Sequence, residues 1–182
     1  MIVLSITVKN YRSIFSPGIA NGNLGCGTGR HAIPLYKNGY TPYAFDISAN
    51  AISQLKTELE KQRFDYSDKI VIADMFEHFP YADNFFDSVI SIATIYHGTI
   101  SNVKFALSEV KRVLKPGGMF YFTTSVNIEN SKSINSGSNY ILVEKGTFLP
   151  LDGREKHLVH HYFDRDELFE LLSEDFKDIT IN

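Results

Sequence analysis

The 182-residue chain has a single cysteine, no long apolar run and no excess of positive charge. The lone thiol, Cys26, excludes an intramolecular disulfide and a multi-cysteine zinc site. Thiol scarcity of this kind suits a reducing compartment, so a cytoplasmic location is expected. No run is long enough to span a bilayer, and no membrane partner is expected. Met1 to Val8 is apolar, but no basic stretch precedes it and no small-residue cleavage pattern follows. It reads as folded structure, a short strand. Lys and Arg total 18 against 21 Asp and Glu, a net charge of -3, which gives no reason to expect nucleic-acid binding. No repeat is evident. What the chain does have is 43% hydrophobic residues, ordinary for a globular protein with a buried core. A single domain over residues 1–182 is expected.

From Gly22 onward, strand-like and helix-like segments alternate, the pattern of a parallel sheet with helices on both faces. A first helix is expected from about Gly29 to Lys37, closed by Asn38-Gly39. Pro34 inside it predicts a bent or late-starting helix. Tyr43 to Phe45 is a strand ended by Asp46. Ser48 then caps a helix with Ile52, Leu55 and Leu59 on one face. Lys69 to Ala73, ending at Asp74, and Asp87 to Ile92 are further strands. Apolar residues between Asn102 and Leu114 fall at helical spacing, and Pro116-Gly117-Gly118 stops that helix. Met119 to Thr123 is a fifth strand. Ser125 to Asn139, rich in Ser and Asn, reads as a loop. Asp164 and Glu167 form a capping-box-like pair before Leu168, Leu171 and Leu172. Phe176 to Ile181 is expected to be a last strand.

The most informative stretch is Asn23-Leu24-Gly25-Cys26-Gly27-Thr28-Gly29-Arg30, with Asp46 about one strand later. Glycines there let the backbone turn sharply and approach a ligand. Amides at the following helix start can donate to an anion. A dinucleotide fingerprint would read G-x-G-x-x-G. Here Arg30 stands where its last glycine belongs, which disfavours a nicotinamide-linked oxidoreductase.

These blocks resemble the class I S-adenosylmethionine-dependent methyltransferases over roughly Leu24 to Ile181. Leu24 to Arg30 looks like the family's first motif, and Phe45-Asp46-Ile47-Ser48 like its second strand end. Ala73-Asp74-Met75 with Phe79 to Val89 looks like the adenine-side loop and fourth strand. Glu109 to Gly118 looks like the helix and turn before strand five. The resemblance implies a three-layer, doubly wound Rossmann-like α/β fold with a mostly parallel sheet. It implies S-adenosyl-L-methionine as cofactor and methyl transfer to a small-molecule acceptor. Gly25, Cys26, Gly27 and Gly29 would pack against the cofactor's methionine portion. Asp46, with Ile47 beside it, would bind the ribose hydroxyls. Asp74 and Met75 would hold the adenine, and the Ala93 carbonyl would face the cofactor's amino group.

Each residue also has a plainer reading. The glycines could form only a tight turn, Asp46 could serve the helix beginning near Ser48, and Asp74 could merely end a strand. Met75 is a common gap-filler, and Cys26 suits packing rather than nucleophilic attack. Methyl transfer from a sulfonium is an in-line displacement that needs alignment and sometimes a base. His97 is the candidate base and Tyr96 the candidate aromatic face toward the sulfonium. The segment from Asn139 to Tyr162, within an insertion over residues 125–163, is expected to roof the substrate site. It carries Tyr140, Phe148, His157, His160, His161 and Tyr162. On a strand His157 and His161 share a face and His160 points away, so no metal site is expected.

The chain departs from the family pattern in three places. Asn23 stands where an acid usually helps fix the loop. Ile19 to Leu24 is a poor central strand, with a glycine and two asparagines where β-branched residues are expected. Both ends look short, with about twenty residues before the loop and no room for the final antiparallel strand, which is expected to be missing. These departures keep open a second reading, an impaired or non-catalytic cofactor-binding module of the same fold.

Overall fold

The computed structural model describes residues 3–5, 19–125 and 139–181. The main sheet contains β1 (Val3–Ser5), β2 (Asn21–Leu24), β3 (Tyr43–Asp46), β4 (Ile70–Ile72), β5 (Phe86–Ile92) and β6 (Leu114–Ser125). Their order is β1-β6-β5-β2-β3-β4. Every pairing is parallel except that of β1 with β6. The order reverses beside β2, and such a switch point opens a crevice at the carboxyl ends of the strands. A second, antiparallel sheet holds β7 (Tyr140–Glu144), β8 (Thr147–Pro150) and β9 (His160–His161). Four helices are described: α1 (Ala32–Lys37), α2 (Ala49–Lys61), α3 (Ile100–Val113) and α4 (Arg165–Ser173). The Ser125 to Asn139 loop falls mostly outside the described residues.

The weak-looking strand β2 is nevertheless central and fully buried. Register explains how. Gly22 and Leu24 lie on the face that packs against α3 and α4, and a Cβ on Gly22 would sit 3.2 Å from the Phe86 ring. The glycine therefore makes room for an aromatic side chain. Asn21 accepts a hydrogen bond from the Ser88 hydroxyl and donates to the Ile19 carbonyl at 3.2 Å. Pairing its polar atoms lowers the cost of burying it. Gly22→Ala is expected to cost about 1–3 kcal/mol by overpacking, measured by urea denaturation.

The opposite face buries Ala44, Ile52, Leu55, Leu59 and Ile70 under α1 and α2. Helix α1 starts late, and Pro34 falls in its first turn, where a missing N–H breaks no helical bond. Thr99 and Asn102 form a full capping box for α3, and Asp164 caps α4 by accepting from the Glu167 N–H at 2.7 Å.

One expected element does not form. Residues 176–181 make no strand. Asp178 has φ +55, outside extended geometry. Phe176, Ile179 and Ile181 pack as side chains on the core instead, Phe176 with its ring centroid 5.7 Å from that of Phe120. The antiparallel edge beside β6 is supplied by β1 from the other end of the chain.

Candidate cofactor and acceptor site

The ends of β2, β3, β4 and β5 converge on a cavity of about 300 Å³. Gly25, Asp46, Ile47, Asp74, Met75 and His97 are among its walls. Gly25 has φ +62, and a Cβ there would lie 2.1 Å from the Thr94 methyl carbon. The glycine thus serves both the turn and the close approach of β2 to the loop after β5. Gly25→Ala is expected to destabilise the fold by about 1–3 kcal/mol, read as a lower urea midpoint.

Asp46 organises the crevice. Its Oδ2 accepts from the Gly27 N–H at 2.8 Å, and its Oδ1 accepts from the Ser48 N–H at 2.9 Å. One carboxylate therefore fixes the glycine loop and the approach to α2, where Ser48 caps by accepting from Ala51 at 3.2 Å. The ribose and helix-start readings of Asp46 are geometrically compatible, since each carboxylate oxygen keeps a lone pair for a ligand. Asp74 repeats the device: Oδ1 accepts from the Phe76 N–H at 2.8 Å, leaving Oδ2 for a ligand amine. Ile47 is 66% exposed, an unusual position for a large aliphatic residue. It shares the cavity with Met75, Phe76 and Phe45. Two carboxylates that accept, set among apolar faces, suit a nucleoside bearing a diol and an exocyclic amine.

The other expected site residues are placed differently. The Cys26 side chain is buried with Ala32, Tyr36 and Leu55, away from the cavity walls. Burial pushes its thiol up to about 12, with the Asp46 charge adding to the effect. It is no nucleophile; its backbone N–H donates to the Phe45 carbonyl at 3.0 Å and its Sγ donates to the Gly27 carbonyl at 3.7 Å. Gly27 and Gly29 shape the loop at φ +52 and +92 without lining the cavity. Ala93 adopts φ +51 and donates its N–H to Thr123 Oγ1 at 2.8 Å, outside the cavity walls. Tyr96 is 8% exposed and belongs to the core. Its ring packs against His97, centroids 4.5 Å apart, and it does not face the cavity. His97 does line it, and burial, with His160 adding repulsion, lowers its imidazole to about 4. It is therefore neutral near pH 7 and a weak base.

Thr94, Phe76 and Leu158 line the cavity and were not singled out by motif. Leu158 comes from the segment between β8 and β9, as a roof over the site would require. The aromatic residues of that segment carried the stronger sequence signal, but the aliphatic one reaches the cavity. Asn23 is 2% exposed and its Nδ2 lacks a hydrogen-bond partner.

The methyltransferase domain family matches residues 23–122. A sterol 24-C-methyltransferase of Gibberella zeae is 34% identical over 106 residues, covering 57% of this chain and 27% of that protein. A tRNA (carboxymethyluridine(34)-5-O)-methyltransferase of Arabidopsis thaliana is 33% identical over 100 residues, 54% of this chain and 22% of that one. The chain spans less than half the length of the curated relatives it matches. Among solved structures, a SAM-dependent methyltransferase of Methanosarcina mazei superposes with a TM-score of 0.72 at 21% identity, covering 89% of this chain and 81% of that one.

Proposed function

The chain belongs to the S-adenosylmethionine-dependent methyltransferase family, and we propose that it transfers a methyl group from S-adenosyl-L-methionine to a small-molecule acceptor. The observation that carries this reading is that Asp46 and Asp74 line one cavity together with Ile47 and Met75. Asp46 would accept from the ribose hydroxyls through the lone pairs that Gly27 and Ser48 leave free. Asp74 would accept from the adenine amine, and Met75 would cover the ring. When bound, the cofactor supplies an activated methyl group on a positively charged sulfur. The protein aligns the acceptor with that methyl and excludes water through Phe76 and Leu158. His97 stands on the cavity wall as a neutral imidazole able to hydrogen-bond an acceptor placed there.

A small acceptor suits the net charge of -3 and the largely apolar cavity lining better than a polyanion does. Kinship leaves the choice open, because relatives act on a sterol and on a tRNA. Among the described residues, no helix is long and apolar enough to cross a membrane. A second reading, cofactor binding without transfer, is favoured by Asn23, whose buried amide nitrogen stands where the family carries an acid.

Calorimetric titration with S-adenosylhomocysteine, S-adenosylmethionine and NAD separates these readings. Binding of both sulfur nucleosides and not NAD is expected. Binding of NAD alone would overturn the assignment. Cofactor binding with no methyl transfer across sterol, quinone, thiol and RNA acceptors would select the binding module.

A further inference from the structure

The cavity's edge carries a cluster that methyl transfer does not call for. His97, from the loop after β5, meets Glu155, from the segment leading into β9, and His160, the first residue of that strand. One donor atom of each lies within 4.8 Å of the other two. His160 is 1% exposed, yet neither of its ring nitrogens has a hydrogen-bond partner. The buried Nε2 of His97 lacks one as well. The Glu155 carboxylate stands 3.3 Å from His160 Nε2 in a geometry short of a hydrogen bond. Each such unpaired buried group costs about 1–3 kcal/mol, and three in one place point to a missing partner.

We propose that His97, Glu155 and His160 form a three-ligand site for a divalent cation of the zinc type. Two imidazoles and one carboxylate suit a borderline metal, and three protein ligands leave a fourth position for water or another ligand. Small side-chain rotations bring the three donors inward, and Glu155, exposed in a loop, has the freedom to make them. The cation sits beside the methyl-donor cavity because His97 lines both. The neighbouring histidines are excluded. His161 is already engaged by Thr147 at 2.7 Å and Glu167 at 3.3 Å, and His157 is exposed and outside the cluster.

The test uses the full chain, stripped with a chelator and titrated with zinc chloride by calorimetry. About one equivalent should bind with a Kd at or below the micromolar range. Cobalt(II) loading supplies a second readout, a visible spectrum of low-symmetry coordination. His160→Ala should weaken zinc about 100-fold or more, and Glu155→Gln about 10-fold, through loss of a ligand. Glu155 is exposed, so its variant keeps the result interpretable if His160→Ala fails to fold. His157→Ala should bind zinc like the parent chain. Failure of the stripped parent to bind, or unchanged affinity in Glu155→Gln, would overturn the site. Neither result bears on S-adenosylhomocysteine binding, which is measured separately.

Discussion

Asp46→Ala is expected to weaken S-adenosylhomocysteine binding by about 3 kcal/mol, roughly 100-fold or more, while the chain stays folded. The ribose contact alone accounts for about 1–3 kcal/mol, the scale of hydrogen bonds to a charged group. The structure adds a second loss. Without the carboxylate, the Gly27 N–H and the Ser48 N–H lose their acceptor together, and the glycine loop is no longer tied to the end of β3. Part of the cofactor's binding energy must then restore the loop. Asp46→Asn separates the contributions. Its single carbonyl oxygen can serve one of the two amides but not both, so an intermediate affinity is expected. Calorimetry gives the affinities, and circular dichroism confirms the fold. Parent-like affinity in Asp46→Ala would remove the residue from the ribose role.

Asp46 was legible in the sequence because its evidence is local. An acid ends an apolar strand at a fixed distance from a glycine loop, and register brings the two together. Local patterning likewise marked the Asp164 cap of α4 and the late start of α1 at Pro34. Harder cases turned on partners far along the chain. Nothing near Gly22 announces that Phe86 needs the space, or that Ser88 will pair Asn21. Tyr96 sits at the right strand end for a ligand contact, yet its side chain turns into the core. Residues 176–181 have strand-like composition, but the positive φ at Asp178 breaks the extended run. The cluster of His97, Glu155 and His160 joins segments more than fifty residues apart in sequence, so the spacing within residues 157–161, on which no metal site was expected, could not reveal it.

Glu109→Ala is expected to destabilise the protein by about 3–5 kcal/mol, more than any other substitution considered for this chain. Glu109 is 6% exposed. Its Oε2 accepts from the Phe79 N–H at 2.7 Å and from Arg112 Nη2 at 2.7 Å, and its Oε1 accepts from Arg112 Nε at 2.8 Å. Arg112 continues outward, donating to the Tyr81 and Phe79 carbonyls and to Asp83. Helix α3 is thereby clamped to the loop that leads into β5, whose rings Phe79, Tyr81 and Phe86 fill the core beside Phe45. Removing the carboxylate strands a partly buried guanidinium and a backbone N–H at once, the costly way to break a pair. The same pair sets an acid response. Arg112 hydrogen bonds, and behind them the Phe79 N–H and the nearby His78, hold the Glu109 carboxyl below its ordinary value of 4.5. A carboxyl depressed in the folded state binds fewer protons there than in the unfolded chain. Its contribution is therefore complete above that ordinary value and is lost as pH falls from it through the folded value. Urea midpoints measured from about pH 7 down to about pH 3 should fall more steeply for the parent than for Glu109→Gln, which lacks the titrating group. Parallel pH profiles, or an unchanged midpoint in Glu109→Ala at neutral pH, would show that the clamp does not hold α3 to its loop.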